Sequence, residues 1–204
     1  KVYGTDIQSH TTNHADEDTV FGIISMTSAE LEEDSENSVS YIKANGLAGK
    51  HMVLYYPGGH YSRATTHPIV EKYYEAGMAA NQGSPQNSFP PADWYAVRRT
   101  QLDAAGLSCS TAKGYVDAAV STGSWLSFYD HSVNAGTEFT TDEMKCLTDY
   151  IYETYTSKGR AKVILDSEAL DMEPSKYAIR DITCGFQADK CGVYSPRNIP
   201  ESKD

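Results

Sequence analysis

Two histidines four positions apart, His10 and His14 in the run Ser9-His10-Thr11-Thr12-Asn13-His14, open the list of residues whose spacing could do chemistry. A gap of three brings both imidazoles to one side of a turn or a first helical turn. Two convergent neutral imidazoles make half of a site for zinc, cobalt, nickel or iron. A catalytic site would need a third protein ligand and open positions for water and substrate; surface or capping histidines are the competing reading of the pair. Two further groups follow apolar runs in the same way: Tyr56-Pro57-Gly58 and Asp130-His131.

The elements that must position these groups follow from periodicity. Strand-like runs stand at Thr5–Ser9, His51–Tyr56, Gly77–Ala80, Ser124–Tyr129 and Ala161–Leu165. Between them lie helical patterns. Thr27 or Ser28 caps a helix running to Asn45 with Gly46 as its stop, and Pro68 opens a second that Gly77 ends. Further helices are predicted over Asp93–Ala105, Thr111–Thr122 and Thr140–Ser157, the last with Met144, Leu147 and Ile151 at three-to-four spacing. Strands alternating with helices demand crossovers between parallel neighbours, so the class is α/β with a parallel sheet or barrel, in one domain over 1–204. In such folds chemistry sits just past the C-terminal strand ends, where all three groups fall. The segment Asn81–Pro91, rich in Gly, Ser, Asn and Pro, reads as a loop, and the tail from about 184 as irregular.

Composition narrows the partners. Lys+Arg 17 against Asp+Glu 28 gives a net charge of −11 with no basic stripe, which argues against nucleic acid. The acidic run Glu30, Glu32, Glu33, Asp34 and Glu36 reads as a solvated helix face. No run approaches the roughly 18 apolar residues of a membrane span. Cys109, Cys146, Cys184 and Cys191 lack paired CxxC spacing; Cys184 and Cys191 could close a short loop as a disulfide, or all four could be buried thiols.

Three of these segments together carry a resemblance. Asp6-Ile7-Gln8-Ser9-His10-Thr11-Thr12-Asn13-His14, led by Gly4, resembles the H-[ST]-x-x-H motif of polysaccharide deacetylases with the NodB homology domain (carbohydrate esterase family 4). Tyr55-Tyr56-Pro57-Gly58-Gly59-His60-Tyr61 is similar to that family's Y-P-x-G-x-Y form, with Tyr55 where other members carry Arg. Ser124–His131 resembles the strand that ends in Leu-x-His, with Tyr129 in place of Leu, and Asp93-Trp94-Tyr95 to Arg98 is a weaker counterpart of the fourth motif. The stretch from about Tyr3 to about Asp166 carries these motifs in the family's order.

The resemblance implies a distorted (β/α) barrel whose first strand is missing from this chain. It implies a divalent metal, zinc foremost with cobalt, nickel or iron as alternatives, on His10 and His14, and His131 as general acid. It implies metal-activated water removing acetyl groups from an N-acetylated or O-acetylated polysaccharide, in an extracellular, periplasmic or cell-surface setting. Tyr56, Pro57, Gly58, Tyr61 and Trp125 would bind substrate, the amide near Gly58 serving the oxyanion; the same Pro-Gly-Gly is also a simple turn, Trp125 a core residue and His131 a buried histidine in the plainer readings. The family's Thr-Phe-Asp-Asp-Gly motif, which supplies the base and the third ligand, has no counterpart here. The expectation is therefore an N-terminally incomplete domain, completed by an upstream segment or a second chain. Asp166 is the internal substitute, as ligand or base, in a circularly rearranged domain. The rival class is a catalytically inactive carbohydrate-binding or structural module of a surface or viral appendage.

Overall fold

The computed structural model describes residues 6–12, 14, 22–80, 85–104, 106–131 and 139–172. The expectations resting on Tyr3, Gly4, Thr5, Asn13, Cys184, Cys191 and the tail lie outside them.

Helix α1 spans Ser28–Ala44 because Thr27 closes a capping box: its Oγ1 accepts the Glu30 amide while the Glu30 carboxylate accepts the Thr27 amide at 2.7 Å. Asn45 caps its end and Gly46 follows at φ +66, as expected. The order then runs β1 (Val53–Tyr55), α2 (His67–Tyr73, with Pro68 in its first turn), β2 (Ala76–Ala80), β3 (Gln86–Asn87), β4 (Val97–Gln101), α3 (Cys109–Thr122), β5 (Trp125–Tyr129) and α4 (Thr141–Thr154). Ser108 caps α3, which begins two residues earlier than the pattern suggested, and Thr140 with Glu143 repeats the capping box on α4.

Four expectations are corrected. Residues 97–101 form a strand where Asp93–Ala105 read as helix. Gly77 lies inside β2 rather than ending α2; a Cβ there would stand 2.2 Å from Tyr56 Oη, so only glycine fits beneath that ring. The Asn81–Pro91 loop contains the two-residue β3. Residues 161–165 are not a strand and lead instead into a 3₁₀ helix, Asp166–Asp171.

The sheet order is β1-β2-β4-β5-β3, parallel throughout except that β3 runs antiparallel to β5. The expected first strand reduces to a bridge at Ser9, which pairs in parallel with Leu54 on the free side of β1. The fold is α/β. The face that Tyr55 and Ser127 share is concave toward residue 166: Tyr55 on β1 and Ser127 on β5 both donate to Asp166 Oδ2, at 3.0 and 3.1 Å.

Alternation along the strands divides the core. Leu54, Tyr56 and Ala79 meet Leu31, Val39 and Ile42 of α1 and Ile69 and Val70 of α2. Leu102 meets Ala112 and Val116 of α3 and Leu147 of α4, and the Cys109–Cys146 disulfide ties those two helices together. On the concave face Val53, Met78, Val97 and Trp125 close over Ala169. Each fully buried Leu, Val or Met contributes about 1.5–3 kcal/mol. Among the described residues no helix is long and apolar enough to cross a membrane.

Candidate active site

The C-terminal rim of the parallel strands gathers the titratable side chains. His10 leaves the sheet directly after the Ser9 bridge, and its Nδ1 lies 2.6 Å from the carbonyl oxygen of Tyr55 at the end of β1. A carbonyl only accepts, so Nδ1 carries the proton and Nε2 is left as the lone-pair nitrogen, the tautomer a metal ligand needs. The His14 ring stands edge-on, centroids 4.9 Å apart. Burial lowers the His10 pKa most; the Tyr55 carbonyl raises it, and the charges of His14, Arg99 and His131 lower it again, leaving it below the ordinary imidazole value. His10 is thus neutral-leaning, and His131 is near enough to be felt.

His131 follows β5. Its Nδ1 lies 2.6 Å from Asp103 Oδ2, whose oxygen also accepts the His131 amide at 3.3 Å. Asp103 follows β4 and its side chain is only 5% exposed, against 67% for His131. Burial pushes the Asp103 carboxyl up, but the hydrogen bonds from His131 and Gln101 outweigh it and hold the group below the usual carboxylate range. A buried carboxylate on Nδ1 leaves Nε2 as the working nitrogen of an exposed ring. Tyr129 supports that ring edge-on at 5.5 Å.

Beneath the rim lies Arg99, 7% exposed. Its guanidinium sits between the rings of Tyr55 and Tyr129, 4.8 and 4.7 Å from their centroids, and donates to the carbonyls of Met78 and Ala79. Arg98, the counterpart suggested by resemblance, points to the opposite face and donates to Gln86 O at 2.7 Å. A shift of one residue in a strand moves a side chain through the sheet. Under Arg99, Asp166 has its carboxyl raised, by burial first, with the hydrogen bonds from Tyr55 and Ser127 and the charge of Arg99 opposing.

The expected substrate contacts are redistributed. Tyr56 is fully buried, its hydroxyl donating to Tyr95 O at 2.9 Å, and Pro57 is buried beside it. Trp125 is 9% exposed and packs against Phe89 and Trp94. None of the three offers a sugar a face; each fills the core. Tyr61 is half-buried and stacks on Tyr56 at 5.3 Å, while Gly58 is exposed at φ +61. The neighbouring amides of Gly59 and His60 donate to Tyr56 O and Pro57 O, which fixes this segment as a 3₁₀ turn.

Asp166 does not complete the histidine pair. Its Oδ2 accepts from Tyr55 and Ser127 on the concave floor, and among the described residues no three His, Cys, Asp or Glu side chains form a group that could hold a metal ion. Asp103 and Arg99, the residues missed by sequence reasoning, share one cause: their segment read as a helix. The signal that could have found them was Val97-Arg98-Arg99-Thr100-Gln101, a short run bounded by turn residues at Asp93 and Asp103.

Comparisons with protein-family models, with curated proteins and with solved structures find no match to this chain.

Proposed function

We propose that the chain is the metal-binding and acid-catalyst portion of a polysaccharide deacetylase with a distorted (β/α) barrel. The observation that carries the reading is that His10 and His131, which follow the Ser9 bridge and β5 on one rim, each have Nδ1 engaged by a protein acceptor at 2.6 Å, with no hydrogen-bond partner for either Nε2 among the described residues. The concave face that brings β1 and β5 onto one carboxylate supports the barrel.

The donors fit a divalent metal in part. His10 and His14 supply two imidazoles of the kind zinc, cobalt, nickel and iron accept, and the third ligand and the base come from a segment outside the described residues or from a second chain. A bound cation supplies Lewis acidity, polarising the acetyl carbonyl and lowering the pKa of the attacking water. His131 donates the Nε2 proton to the leaving amine, or to the leaving sugar oxygen in an ester. Asp103 holds the Nδ1 proton and stabilises the imidazolium before that transfer. Tyr61 and the exposed Gly58 border the approach to the rim. The Cys109–Cys146 disulfide supports an oxidising compartment, outside the cell or at its surface.

A second reading, a carbohydrate-binding or structural module without turnover, is favoured by the absence of a three-residue metal group among the described residues. Metal analysis with acetate release from a panel of acetylated glycans separates the two. His10→Ala abolishes metal binding; His131→Ala keeps the metal and stops acetate release. Full metal occupancy in His10→Ala overturns the site, and a metal-loaded protein that releases no acetate from any glycan favours the module.

A further inference from the structure

The only non-glycine residues at positive φ among the described residues are Thr11 at +65° and His14 at +53°, both in the two-histidine turn. A β-branched residue in the left-handed region is strained, and such strain persists only where the surroundings over-determine it. The buried face of α1 provides that constraint. Asp34, 6% exposed, accepts the Thr12 amide with both carboxylate oxygens, at 3.1 and 3.0 Å, and its carbonyl accepts Thr12 Oγ1 at 3.3 Å. One turn further on, Ser38 Oγ meets Ser9 Oγ at 2.8 Å, and Ser9 Oγ in turn accepts the Thr11 amide at 3.3 Å. The acidic run thus splits: Glu30, Glu33 and Glu36 are solvated as expected, whereas Asp34 faces inward.

We infer that Asp34 is the positioning residue of the metal turn: through Thr12 it holds the left-handed conformation at Thr11 that converges the imidazoles of His10 and His14. The inference rests on the metal reading of those histidines. A carboxylate is suited to the task because it accepts from one N–H with both oxygens and cannot be replaced by solvent in a buried position.

The test uses the full chain with Asp34→Asn and Asp34→Ser, thermal transitions recorded so that whichever variant folds is compared. Two readouts are taken: Co(II) affinity by visible absorption, and exchange of the Thr12 amide by NMR. Loss of the clamp weakens Co(II) binding about 10- to 100-fold, the range for removing a partner that orients metal ligands, and speeds Thr12 exchange. Adding Thr11→Gly to Asp34→Asn recovers most of the affinity, since glycine adopts the left-handed conformation unaided; a merely structural Asp34 would show no such rescue. Co(II) affinity within twofold of wild type, or Thr12 exchange unchanged, overturns the inference. If wild type and His10→Ala bind Co(II) equally poorly, the metal reading itself fails and the ligating role falls with it, whatever Thr12 does.

Discussion

Replacing Gly58 and Gly59 by alanine, one at a time, separates two physical costs within a single turn. Both residues have positive φ, +61° and +72°, so both variants carry the left-handed penalty of an L side chain, about 1–2 kcal/mol. Their surroundings differ. A Cβ on Gly58 would meet only the flexible ring of His60 at 3.2 Å, whereas one on Gly59 would stand 2.1 Å from Ala80 Cβ and 2.6 Å from the Ala80 amide nitrogen. Those atoms belong to β2, in the middle of the sheet, and cannot swing aside. Overpacking of this kind costs about 1–3 kcal/mol more. Gly58→Ala should therefore lose about 1–2 kcal/mol and Gly59→Ala about 2–5 kcal/mol, a Tm gap of roughly 2–12 °C for a domain of this size. Gly46→Ala is the reference, because at φ +66° its Cβ would meet nothing within 4 Å. Urea and thermal unfolding of the three variants give the result. If Gly59→Ala is no less stable than Gly58→Ala, the turn does not press on β2 and the argument for its fixed placement is wrong.

Three further outcomes are expected. His51 is pulled down by burial but raised more by its hydrogen bonds to Asp171 and Glu75, so its folded pKa lies above the ordinary value near 6.5. That stabilisation is fully present below about pH 6.5 and lost as the pH rises through the folded value, so the stability of His51→Gln should vary less across the neutral range than that of wild type; parallel curves would refute it. Reducing Cys109–Cys146, separated by 37 residues, should cost about 4 kcal/mol by loop entropy, read as a lower urea midpoint after reduction and alkylation, and no shift would count against the bond. On the proposed deacetylase reading, Asp103→Asn should lower the kcat of acetate release about 100-fold or more with metal content and KM unchanged, whereas a fall in metal content would place Asp103 at the metal instead.

Four of the five helices read from the sequence are present, and Asp93–Ala105 is not. Thr27, Pro68 and Thr140 are local signals, and each marks the start of a helix. β4 was illegible because one of its concave-side residues is an arginine: Arg99 is buried between two tyrosines, two residues after Val97, so the apolar alternation that announces a strand is broken there. Asp34 was hidden likewise, one inward carboxylate in a run where Glu30, Glu33 and Glu36 face water. The residues 161–165 carried apolar character without a strand partner, since the last described segment closes the concave core from below rather than extending the sheet. His10, His14 and His131 could be picked from the sequence because they follow strands; which of the neighbouring tyrosines were core and which surface depended on packing across the sheet, which spacing does not encode.

The placement of Asp166–Asp171 bears on how the chain reaches its folded state. Tyr55 and Asp166 are 111 residues apart, Lys50 and Asp171 are 121 apart, and Ser167 donates to Asp6 across 161. Contacts of such range form after the local helices and slow the search for the native topology. During synthesis at the ribosome, β1 through β5 emerge before the six-residue plug that closes their concave face. Until it arrives, the apolar side chains of Val53, Met78, Val97 and Trp125 stand without their cover, which leaves that face open to aggregation and to chaperones in the interval.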